Sequence, residues 1–530
     1  MTVLTRIYTA GLITMGAVCL SLAAHAEGTP CAKLKAMTIH DVAIESSTLV
    51  PAGEFPIPGT IASTTVVEPT VYVKLPAFCR VVGVARPTSD SDIHFEVWIP
   101  PSQAWNGRFE GVGTGGFSGE ISYQAMALAL DQGYATASTD TGHKGDELIF
   151  AKGHPEKIVD WGYRSMHVMT ETAKLIVRNA MGKFPEKSYF NGCATAGHQS
   201  MMEVLRYPND YDGVIAGNPA GDRVHEIDGY LAAWIATHSA DGKSLLPSAT
   251  LQMITKVAVA KCDKLDGVED GVIDDPHRCD FDPKQLLCKA GEDASCLTQA
   301  QVDAVKKVYA GLRHPRTGEM IFPGWSIGSE GWGAAQNSGW SQLVNIATPR
   351  RSDFFKYFVF DNPEWDWKSF DFDKDIDFAD KKMGFLAAHG TDLSAFTGHK
   401  GKLIMFTGLV DPILPADDVI EYYDAIEKRM GGERSKESVR FFTVPGMGHC
   451  LGGPGTTDFD MMPALKTWVE EGKAPEKVIA SRVVKGQVVR TRPLCVYPKV
   501  ARWNGKGSSD EANNFACVLL TQNARSAAKK

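Results

Sequence analysis

Hydrophobic and polar residues alternate over residues 93–99, as expected for a β-strand whose successive side chains point to opposite faces of a sheet. Other short runs have strand character, whereas two longer segments have apolar residues at helical spacing. The predicted strands are 93–99, 108–112, 134–139, 188–191, 402–407 and 439–444, and the predicted helices are 166–181 and 417–430. This alternation predicts an α/β fold with a parallel or mostly parallel sheet and helices on both faces.

The alternation of strands and helices stops after Gly217 and resumes at Lys402. The stretch between these residues is less regular and rich in aspartate and tryptophan. We therefore expect a core domain formed by residues 27–218 and 401–530, interrupted by a lid domain of residues 219–400. A chain of roughly 500 residues exceeds what one hydrophobic core usually supports, which agrees with this division.

The first 26 residues have the pattern of a secretory signal peptide. A single cation, Arg6, precedes an apolar stretch over residues 12–24, and Ala24-His25-Ala26 is a small-x-small cleavage site. The apolar stretch is shorter than the ~20 residues that a membrane-spanning helix needs, which favours a cleaved signal over a membrane anchor. We therefore expect a secreted or periplasmic protein without a membrane span.

The charge of the chain excludes one broad class of partner. The sequence has 55 basic and 63 acidic residues, and loss of the signal removes only Arg6, so the mature chain carries 54 against 63, a net charge of −9. An acidic protein has no electrostatic reason to bind nucleic acid. The sequence leaves the oligomeric state open.

Ten of the 11 cysteines remain after the signal is removed. They are Cys31, Cys79, Cys193, Cys262, Cys279, Cys288, Cys296, Cys450, Cys495 and Cys517. An even number in an exported protein predicts five disulfides, because an oxidising compartment lets them persist. Parity alone leaves the pairing open, and the absence of a CxxC pair argues against a zinc ribbon or a thioredoxin-like redox site.

Residues 189–199 predict a strand, a tight turn and a helix, with Ala194 at the apex of the turn. Small residues crowd this turn, as in a nucleophile elbow, where the chain reverses while it presents one side chain above the sheet edge. The amide of Thr195 would lie at the helix N-terminus, where it can stabilise an oxyanion. A second oxyanion amide is expected from Gly115 or Gly116, because glycine lets the backbone approach a substrate closely. An ordinary turn is the alternative interpretation of these two glycines.

Two further residues complete the pattern of a hydrolytic triad. Asp411 follows the predicted strand 402–407, and His449 follows the predicted strand 439–444. The order nucleophile, acid, base is that of the α/β-hydrolases. In such a triad the imidazole takes the hydroxyl proton, and the carboxylate fixes the tautomer and supports the imidazolium. A lone histidine after a strand is more often structural, but three elements in this order favour a catalytic role.

Cys193, Asp411 and His449-Cys450 resemble the CS-D-HC arrangement of the tannase and feruloyl esterase family, which also includes mono(2-hydroxyethyl) terephthalate hydrolase. The resemblance covers nearly the whole mature chain. It implies an α/β-hydrolase core sheet with a large inserted lid, and hydrolysis of aromatic esters. It also implies a disulfide between Cys193 and Cys450. Together with proximity in sequence, it suggests the pairs Cys262–Cys279, Cys288–Cys296, Cys31–Cys79 and Cys495–Cys517.

The chain departs from the family motif Gly-Cys-Ser-x-Gly-Gly at two positions, Ala194 and Ala196. Ala196 adds only a methyl group, whereas Ala194 lacks the attacking oxygen. Removal of a triad nucleophile costs roughly 10⁶ in rate. Thr195 is not a simple substitute, because its side chain points elsewhere one residue along the turn. A serine-to-alanine variant of an active esterase is favoured over a natural pseudoenzyme, and the sequence leaves both open.

Residues 262–272 of the lid space three aspartates closely around two glycines. Carboxylate and carbonyl oxygens suit calcium, although the segment lacks the EF-hand pattern and Asp-Gly pairs also form plain turns. The family resemblance implies a structural calcium ion that braces the lid. The implied ligands are the side chains of Asp263, Asp266 and Asp270 and the carbonyls of Val268 and Val272.

The lid is also rich in aromatic residues, which would suit an aromatic acyl group but more often form a lid core. They are Trp325, Trp332, Trp340, Trp365, Trp367, Phe354, Phe355 and Phe358. Arg350 and Arg351 would meet an acidic substrate or lie as solvated charges on the surface.

The function expected from the resemblance is hydrolysis of carboxylic esters, with feruloyl or related hydroxycinnamoyl esters first and gallate or terephthalate monoesters as alternatives. The rival from another class is a protein that binds an aromatic ester without turnover. A third alternative is a calcium-dependent interaction module, whose function would survive loss of His449.

Overall fold

The fold is described from a computed structural model, which covers residues 28–56, 69–289, 295–332 and 339–519. The predicted signal peptide lies outside these residues. No helix in the covered part of the chain is long and apolar enough to cross a bilayer.

Nine of the described strands form one sheet, and six more form three two-stranded ribbons. The strands are β1 Val42–Val50, β2 Phe78–Ala85, β3 Ile93–Ile99, β4 Arg108–Val112, β5 Ala135–Thr139, β6 Lys187–Cys193, β7 Gly213–Gly217, β8 Leu312–Arg313, β9 Met320–Phe322, β10 Lys402–Gly408, β11 Val439–Val444, β12 Lys477–Val484, β13 Gln487–Cys495, β14 Lys499–Trp503 and β15 Phe515–Leu519.

The large sheet has the strand order β1-β2-β3-β5-β4-β6-β7-β10-β11. The six strands from β5 to β11 run parallel to one another, and the three strands β1 to β3 are antiparallel to their neighbours. Every residue of β5 and of β7 is buried, as expected for parallel strands that are covered on both faces. The predicted α/β fold with a mostly parallel sheet is confirmed.

The sheet is covered by helices that follow its strands along the chain. The helices are α1 Pro69–Tyr72, α2 Tyr123–Asp131, α3 Pro155–Val159, α4 Ser165–Met181, α5 Thr195–Arg206, α6 Arg223–Ala236, α7 Ser248–Cys262, α8 Gln299–Ala310, α9 Ser341–Val344, α10 Asp375–Met383, α11 Ser394–Gly398, α12 Ala416–Met430, α13 Gly432–Lys436 and α14 Met462–Glu471.

The two faces of the sheet bury different side chains because successive residues of a strand point in opposite directions. Phe109 of β4 and Phe190 of β6 pack with α4, α5 and α12. Tyr189 of β6 packs on the opposite face with residues of α2 and α14. Glu110 of β4 lies beside Tyr189 in register and therefore belongs to the α2 and α14 face.

The irregular stretch 219–400 leaves the sheet after β7 and returns to it at β10. It contains the helices α6 to α11 and the β8–β9 hairpin. Its apolar core also includes residues of the core sheet's own loops, among them Phe117, Trp161 and Leu414. The insertion thus packs directly on the loops at the carboxyl ends of the strands, while its boundaries as a separate domain stay a prediction.

Most predicted elements are present with ends displaced by a few residues. The predicted strand 188–191 extends to Lys187–Cys193, and the predicted strand at 134–139 begins at Ala135. The predicted helices 166–181 and 417–430 each begin one residue earlier. The interpretation missed β7, whose five residues contain two glycines, and it missed the antiparallel strands β1 and β2.

Candidate active site

Ala194 occupies a sharp turn between β6, which ends at Cys193, and α5, which begins at Thr195. Its backbone has φ 61° and ψ −117°, a region that residues with a side chain rarely adopt. Such a conformation costs about 1–3 kcal/mol and persists only where the surroundings impose it. Here the amide of Ala194 donates to the carbonyl of Gly217 at 3.0 Å, and its carbonyl accepts from the amide of His198 at 2.9 Å.

The small residues around Ala194 are required by close packing. A Cβ atom on Gly192 would lie 2.2 Å from the carbonyl oxygen of Ala196, and one on Gly197 would lie 2.4 Å from that of Gly217. Ala196 itself is buried and fits the turn, so the extra methyl group relative to the family motif is accommodated. The segment therefore has the geometry of the predicted elbow.

The structure brings Asp411 and His449 together, as the sequence predicts. His449 Nδ1 lies 2.8 Å from Asp411 Oδ2, and the Asp411 side chain is completely buried. Asp411 Oδ1 accepts the amides of Ile413 at 2.8 Å and Leu414 at 3.0 Å, and Oδ2 also accepts from the side-chain amide of Asn218. These donors fix the orientation of the carboxylate toward the imidazole. Asn218, at the end of β7, is a positioning residue that the sequence interpretation missed.

A disulfide joins the elbow to the histidine loop. Cys193, next to Ala194, is bonded to Cys450, next to His449, and the two Cα atoms are 6.0 Å apart. The bond closes a separation of 257 residues. Ala194 and His449 line the same cavity. Positions 194, 411 and 449 therefore converge on one point, although the catalytic roles assigned to them stay predictions.

All ten cysteines expected to pair are paired in the structure. The other four bonds are Cys31–Cys79, Cys262–Cys279, Cys288–Cys296 and Cys495–Cys517. These are the pairs that proximity and family resemblance suggest.

The predicted oxyanion residues lie at one wall of the cavity. The hydroxyl of Thr195 donates to the carbonyl of Gly116 at 2.6 Å, so its side chain is turned away from the position of an attacking group. The amide of Thr195 lies in the first turn of α5, where helical amides have no intrahelical acceptor. Gly116 has φ +58°, a conformation that favours glycine, whereas a Cβ atom on Gly115 would meet nothing within 4 Å. Both glycines line the cavity, and which of them donates to an oxyanion stays a prediction.

Arg223, at the start of α6, fixes the elbow from the side of the insertion. Its buried guanidinium donates to the hydroxyl of Thr195 and, at 3.0 Å, to the carboxylate of Glu226. The guanidinium also lies over the rings of Phe117 and Trp161, at 5.5 and 5.6 Å. The sequence interpretation missed Arg223, since only the fold brings a residue 29 positions after Ala194 back to the turn.

The two arginines singled out by the sequence have different surroundings. Arg351 forms an ion pair with Asp146, and Asp146 Oδ1 accepts the amide of Phe117 at 2.9 Å. Arg351 therefore anchors the glycine-rich loop. Arg350 lines the cavity, and the ion pairs of the described residues do not include it.

The cavity above Ala194 has a volume of about 800 Å³, enough for a drug-sized molecule. Of the predicted aromatic residues, Trp332 lines it, together with Phe117 and Tyr230. The remaining aromatic residues of the lid form or pack against its core: Trp325, Trp340, Phe354, Phe355, Phe358, Trp365 and Trp367.

Glu110, which the sequence interpretation also missed, lines the cavity on the α2 and α14 face. Burial raises the pKa of its carboxyl to about 8, although a hydrogen bond with Asn191 favours the ionised form, and the charge of Asp460 raises the pKa further. Glu110 is therefore protonated at neutral pH. The sequence signal that could have identified Glu110 is the position of an acidic residue in the middle of an apolar strand.

In the predicted calcium loop, two aspartate side chains accept hydrogen bonds from backbone amides of the same loop. The carboxylate of Asp263 accepts the amides of Asp270 at 3.0 Å and Gly271 at 2.9 Å, and that of Asp266 accepts the amide of Val268 at 2.9 Å. The described residues contain no group of three or more His, Cys, Asp or Glu side chains in a metal-binding arrangement. The calcium site, including Val272, stays a prediction.

The chemistry of the calcium loop nevertheless suits a hard cation. Asp270 Oδ1 is buried and has no hydrogen-bond partner, while Oδ2 of the same residue pairs with Arg492 and, at 3.2 Å, with Arg490. Asp274, a carboxylate that the sequence interpretation left out, is hydrogen-bonded to Asp266. These oxygens are of the type that calcium prefers.

Comparison with known proteins shows that the chain is similar to a group of esterases. The family model described as tannase and feruloyl esterase matches residues 79–518. An uncharacterized esterase of Xanthomonas campestris is 37% identical over 96% of this chain and 94% of its own length. Mono(2-hydroxyethyl) terephthalate hydrolase of Piscinibacter sakaiensis is 32% identical over 84% of this chain and 85% of its own length. The crystal structure of feruloyl esterase B from Aspergillus oryzae superposes with a TM-score of 0.83 at 28% identity, over 92% of this chain and 99% of that one.

We predict that the Cys193→Ala/Cys450→Ala double variant has a lower free energy of unfolding than the parent. The chain-entropy model gives about 5 kcal/mol for a loop of this length and about 3 kcal/mol for the 22-residue separation of Cys495 and Cys517. Denaturant titration of both double variants should therefore show the larger loss for the Cys193–Cys450 pair. Equal losses for the two pairs would contradict the prediction.

We also predict that Glu110→Gln stabilises the protein at pH 9 and has little effect at pH 4. The folded pKa of Glu110, about 8, lies above its ordinary value of 4.5, so its contribution to stability is full below pH 4.5 and is lost as the pH rises through 8. Glutamine removes this loss, which corresponds to on the order of 5 kcal/mol at pH 9. Urea titrations at the two pH values measure it, with the exposed Glu54→Gln as control. A Glu110→Gln effect that is the same at both pH values would refute the assignment.

Proposed function

The chain belongs to the tannase and feruloyl esterase family of ester hydrolases, and on this premise we propose that it is built to cleave aromatic carboxylic esters by a Ser-His-Asp mechanism. The observation that carries the proposal is the 2.8 Å hydrogen bond between His449 and Asp411, joined to the elbow at Ala194 by the Cys193–Cys450 bond. Ala194 and His449 line one cavity, and the buried Asp411 supports His449 from behind, which is the arrangement that acyl transfer needs.

The proposed steps follow the chemistry of these groups. A serine hydroxyl at position 194 attacks the ester carbonyl and gives its proton to His449, and the resulting oxyanion is stabilised by the amide of Thr195 and one from Gly115 or Gly116. His449 then protonates the departing alcohol. Water next attacks the acyl-enzyme and gives a proton to His449, which passes it to the serine oxygen as the acyl–serine bond breaks and the acid leaves. Asp411 orients the imidazole throughout.

We infer that Ala194 stands where the active form of the protein has serine. The backbone of Ala194 keeps a conformation that costs about 1–3 kcal/mol and that brings no benefit to an alanine. The oxyanion loop, the imidazole and its carboxylate are all kept around it. The second candidate, a catalytically silent protein that binds aromatic esters, is favoured by one observation, the missing hydroxyl at position 194.

The substrate class proposed first is that of hydroxycinnamoyl esters such as feruloyl esters. The rings of Phe117, Tyr230 and Trp332 line the cavity and suit a planar aromatic acyl group. Gallate and terephthalate monoesters are the alternatives, and Arg350 offers a cation to the acidic end of a terephthalate.

We further propose that the protein is exported by cleavage of residues 1–26. Five disulfides support this, because such bonds persist in oxidising compartments.

Ala194→Ser should create turnover of methyl ferulate, with a gain of roughly 10⁵–10⁶ in kcat over the parent. Steady-state assays on methyl ferulate, methyl gallate and a terephthalate monoester measure the gain and rank the acyl groups. The matched control, Ala194→Ser/His449→Ala, should return to the level of the parent because the serine then lacks its base. If Ala194→Ser remains inactive on all three esters while the parent binds them, the silent binding protein is the correct function.

The proposed structural calcium ion should stabilise the insertion without taking part in the chemistry. We expect treatment with EDTA to lower the Tm, and addition of calcium to restore it, because a ligand that binds only the folded state shifts the folding equilibrium. Asp270→Asn should abolish the response to calcium, whereas Glu269→Gln, an exposed neighbour outside the proposed ligand set, should keep it. Identical thermal melts with calcium and with EDTA would rule out the ion.

A further inference from the structure

The charge of the chain is unevenly distributed along the sequence. Residues 477–509, which include the strands β12, β13 and β14, contain eight cations and no acidic residue. The whole chain has a net charge of −8, so the remaining residues together carry −16. The eight cations are Lys477, Arg482, Lys485, Arg490, Arg492, Lys499, Arg502 and Lys506. A basic segment in an acidic protein is typical of a surface that meets an anionic partner.

The cations of this segment differ in their contacts within the protein. Four of them are bound by acidic side chains or by backbone carbonyls: Arg490, Arg492, Lys499 and Arg502. Of the other four, Lys477 and Arg482 on β12 and Lys485 in the following turn have no acidic partner among the described residues. Their charges are therefore available to a partner outside the protein.

The two-stranded ribbon β12–β13 ends in an exposed apolar tip, which we define as residues 483–489. Every residue of the tip is exposed, and Val483 and Val488 lie opposite each other in the register. Lys485 and Gly486, both with positive φ, form its two-residue turn. The exposed fractions of its valines are 43% for Val483, 44% for Val484, 60% for Val488 and 48% for Val489. Contiguous exposed aliphatic side chains mark sites of contact with partners or membranes.

The base of the ribbon is fixed to the core domain. Ala480 of β12 and Leu494 of β13 are buried in an apolar cluster that also contains residues of α14. Ser481 exchanges two backbone hydrogen bonds with Asp458, at 3.0 and 2.8 Å. The tip therefore projects from a fixed base, so that little conformational entropy is lost when it docks.

The combination of valines and cations distinguishes between possible partners. An acidic polysaccharide is hydrophilic and would leave the valines in contact with water. A second copy docked through the same tip would bring Arg482 and Lys485 against the like charges of the other copy, which repel them. An anionic lipid surface offers phosphate groups to the cations and acyl chains to the valines. The tip thus matches the lipid surface best.

We propose that the tip of the ribbon β12–β13 is a docking site for an anionic phospholipid surface. The four valines enter the boundary between headgroups and acyl chains, and Arg482 and Lys485 pair with the lipid phosphates. The contact is peripheral and involves no membrane span. Asp458, which holds the ribbon at Ser481, is followed by Phe459 of the cavity wall, so docking brings this wall near the lipid surface. The proposal is independent of the ester chemistry.

Cosedimentation of the full chain with lipid vesicles tests the proposal. Vesicles of phosphatidylglycerol and phosphatidylcholine in equal parts are compared with vesicles of phosphatidylcholine alone. We expect the protein to bind the anionic vesicles roughly a hundredfold more tightly, because each of three free cations near an anionic surface contributes about a factor of five. High salt should remove this preference, since the charges are screened at the surface.

A pair of matched double variants tests the role of the cations. Arg482→Gln/Lys485→Gln should weaken binding to the anionic vesicles roughly thirtyfold. Lys33→Gln/Lys35→Gln removes the same charge from exposed residues beside β1, at the opposite edge of the large sheet, and should bind like the parent.

The valines are tested by a third double variant. Val484→Ser/Val488→Ser should weaken binding to the anionic vesicles about tenfold or more, because it removes the apolar surface that enters the lipid. Both side chains are exposed, so the thermal melt of this variant should match that of the parent. Should a variant fail to fold, the preference of the parent for anionic vesicles and its loss at high salt decide the question.

No binding to either kind of vesicle, equal binding to both, or unchanged binding in Arg482→Gln/Lys485→Gln would overturn the proposal. Binding to polygalacturonate without binding to anionic vesicles would assign the tip to an acidic polysaccharide instead. A dimer in sedimentation velocity that Val484→Ser/Val488→Ser dissociates would assign the tip to a second copy of the chain.

Discussion

Two loops 257 residues apart are joined by the Cys193–Cys450 bond, and the arrangement of the site depends on this connection. One half-cystine ends β6 and precedes Ala194, and the other follows His449. The hydrogen bond from His449 to the buried Asp411 then fixes the third group relative to the first two. A covalent bond between the end of β6 and the loop after β11 limits the movement that would separate the imidazole of His449 from the turn at Ala194. The residues around this disulfide also maintain the strained backbone conformation of Ala194.

The insertion contributes to this arrangement by contacts with the loops of the sheet. Arg223 reaches the hydroxyl of Thr195, and Arg351 pairs with Asp146, which holds the amide of Phe117. Two cations from the insertion therefore fix the helix start and the glycine-rich loop between which an oxyanion would lie. The burial of Arg223 beside the rings of Phe117 and Trp161 strengthens its contacts, because little water competes for the charge. The insertion, which the sequence predicts to be a lid domain, thus contributes contacts to the framework of the site.

The geometry of the turn at position 194 does not depend on a side-chain hydroxyl, for a physical reason. The turn is maintained by backbone hydrogen bonds, by close packing around Gly192 and Gly197, and by a disulfide, none of which involves the side chain of residue 194. Geometry and reactivity are therefore separable here: the fold can present an alanine as well as a serine at the apex.

The sequence by itself determined the features that are encoded locally. The periodicity of strands such as Ile93–Ile99 and Val439–Val444, the small residues of the elbow, and the order of Ala194, Asp411 and His449 all depend on neighbours within a few positions. The tertiary structure alone decided which distant side chains share a wall: Asn218 on Asp411, Arg223 on Thr195, and Glu110 beside Asn191. These residues produce no periodic pattern in the sequence. Each acts through contacts that form only when segments far apart in the chain become neighbours in the fold. The strand β7 was missed for the same reason, since its burial comes from the strands on either side and not from its own glycine-rich pattern.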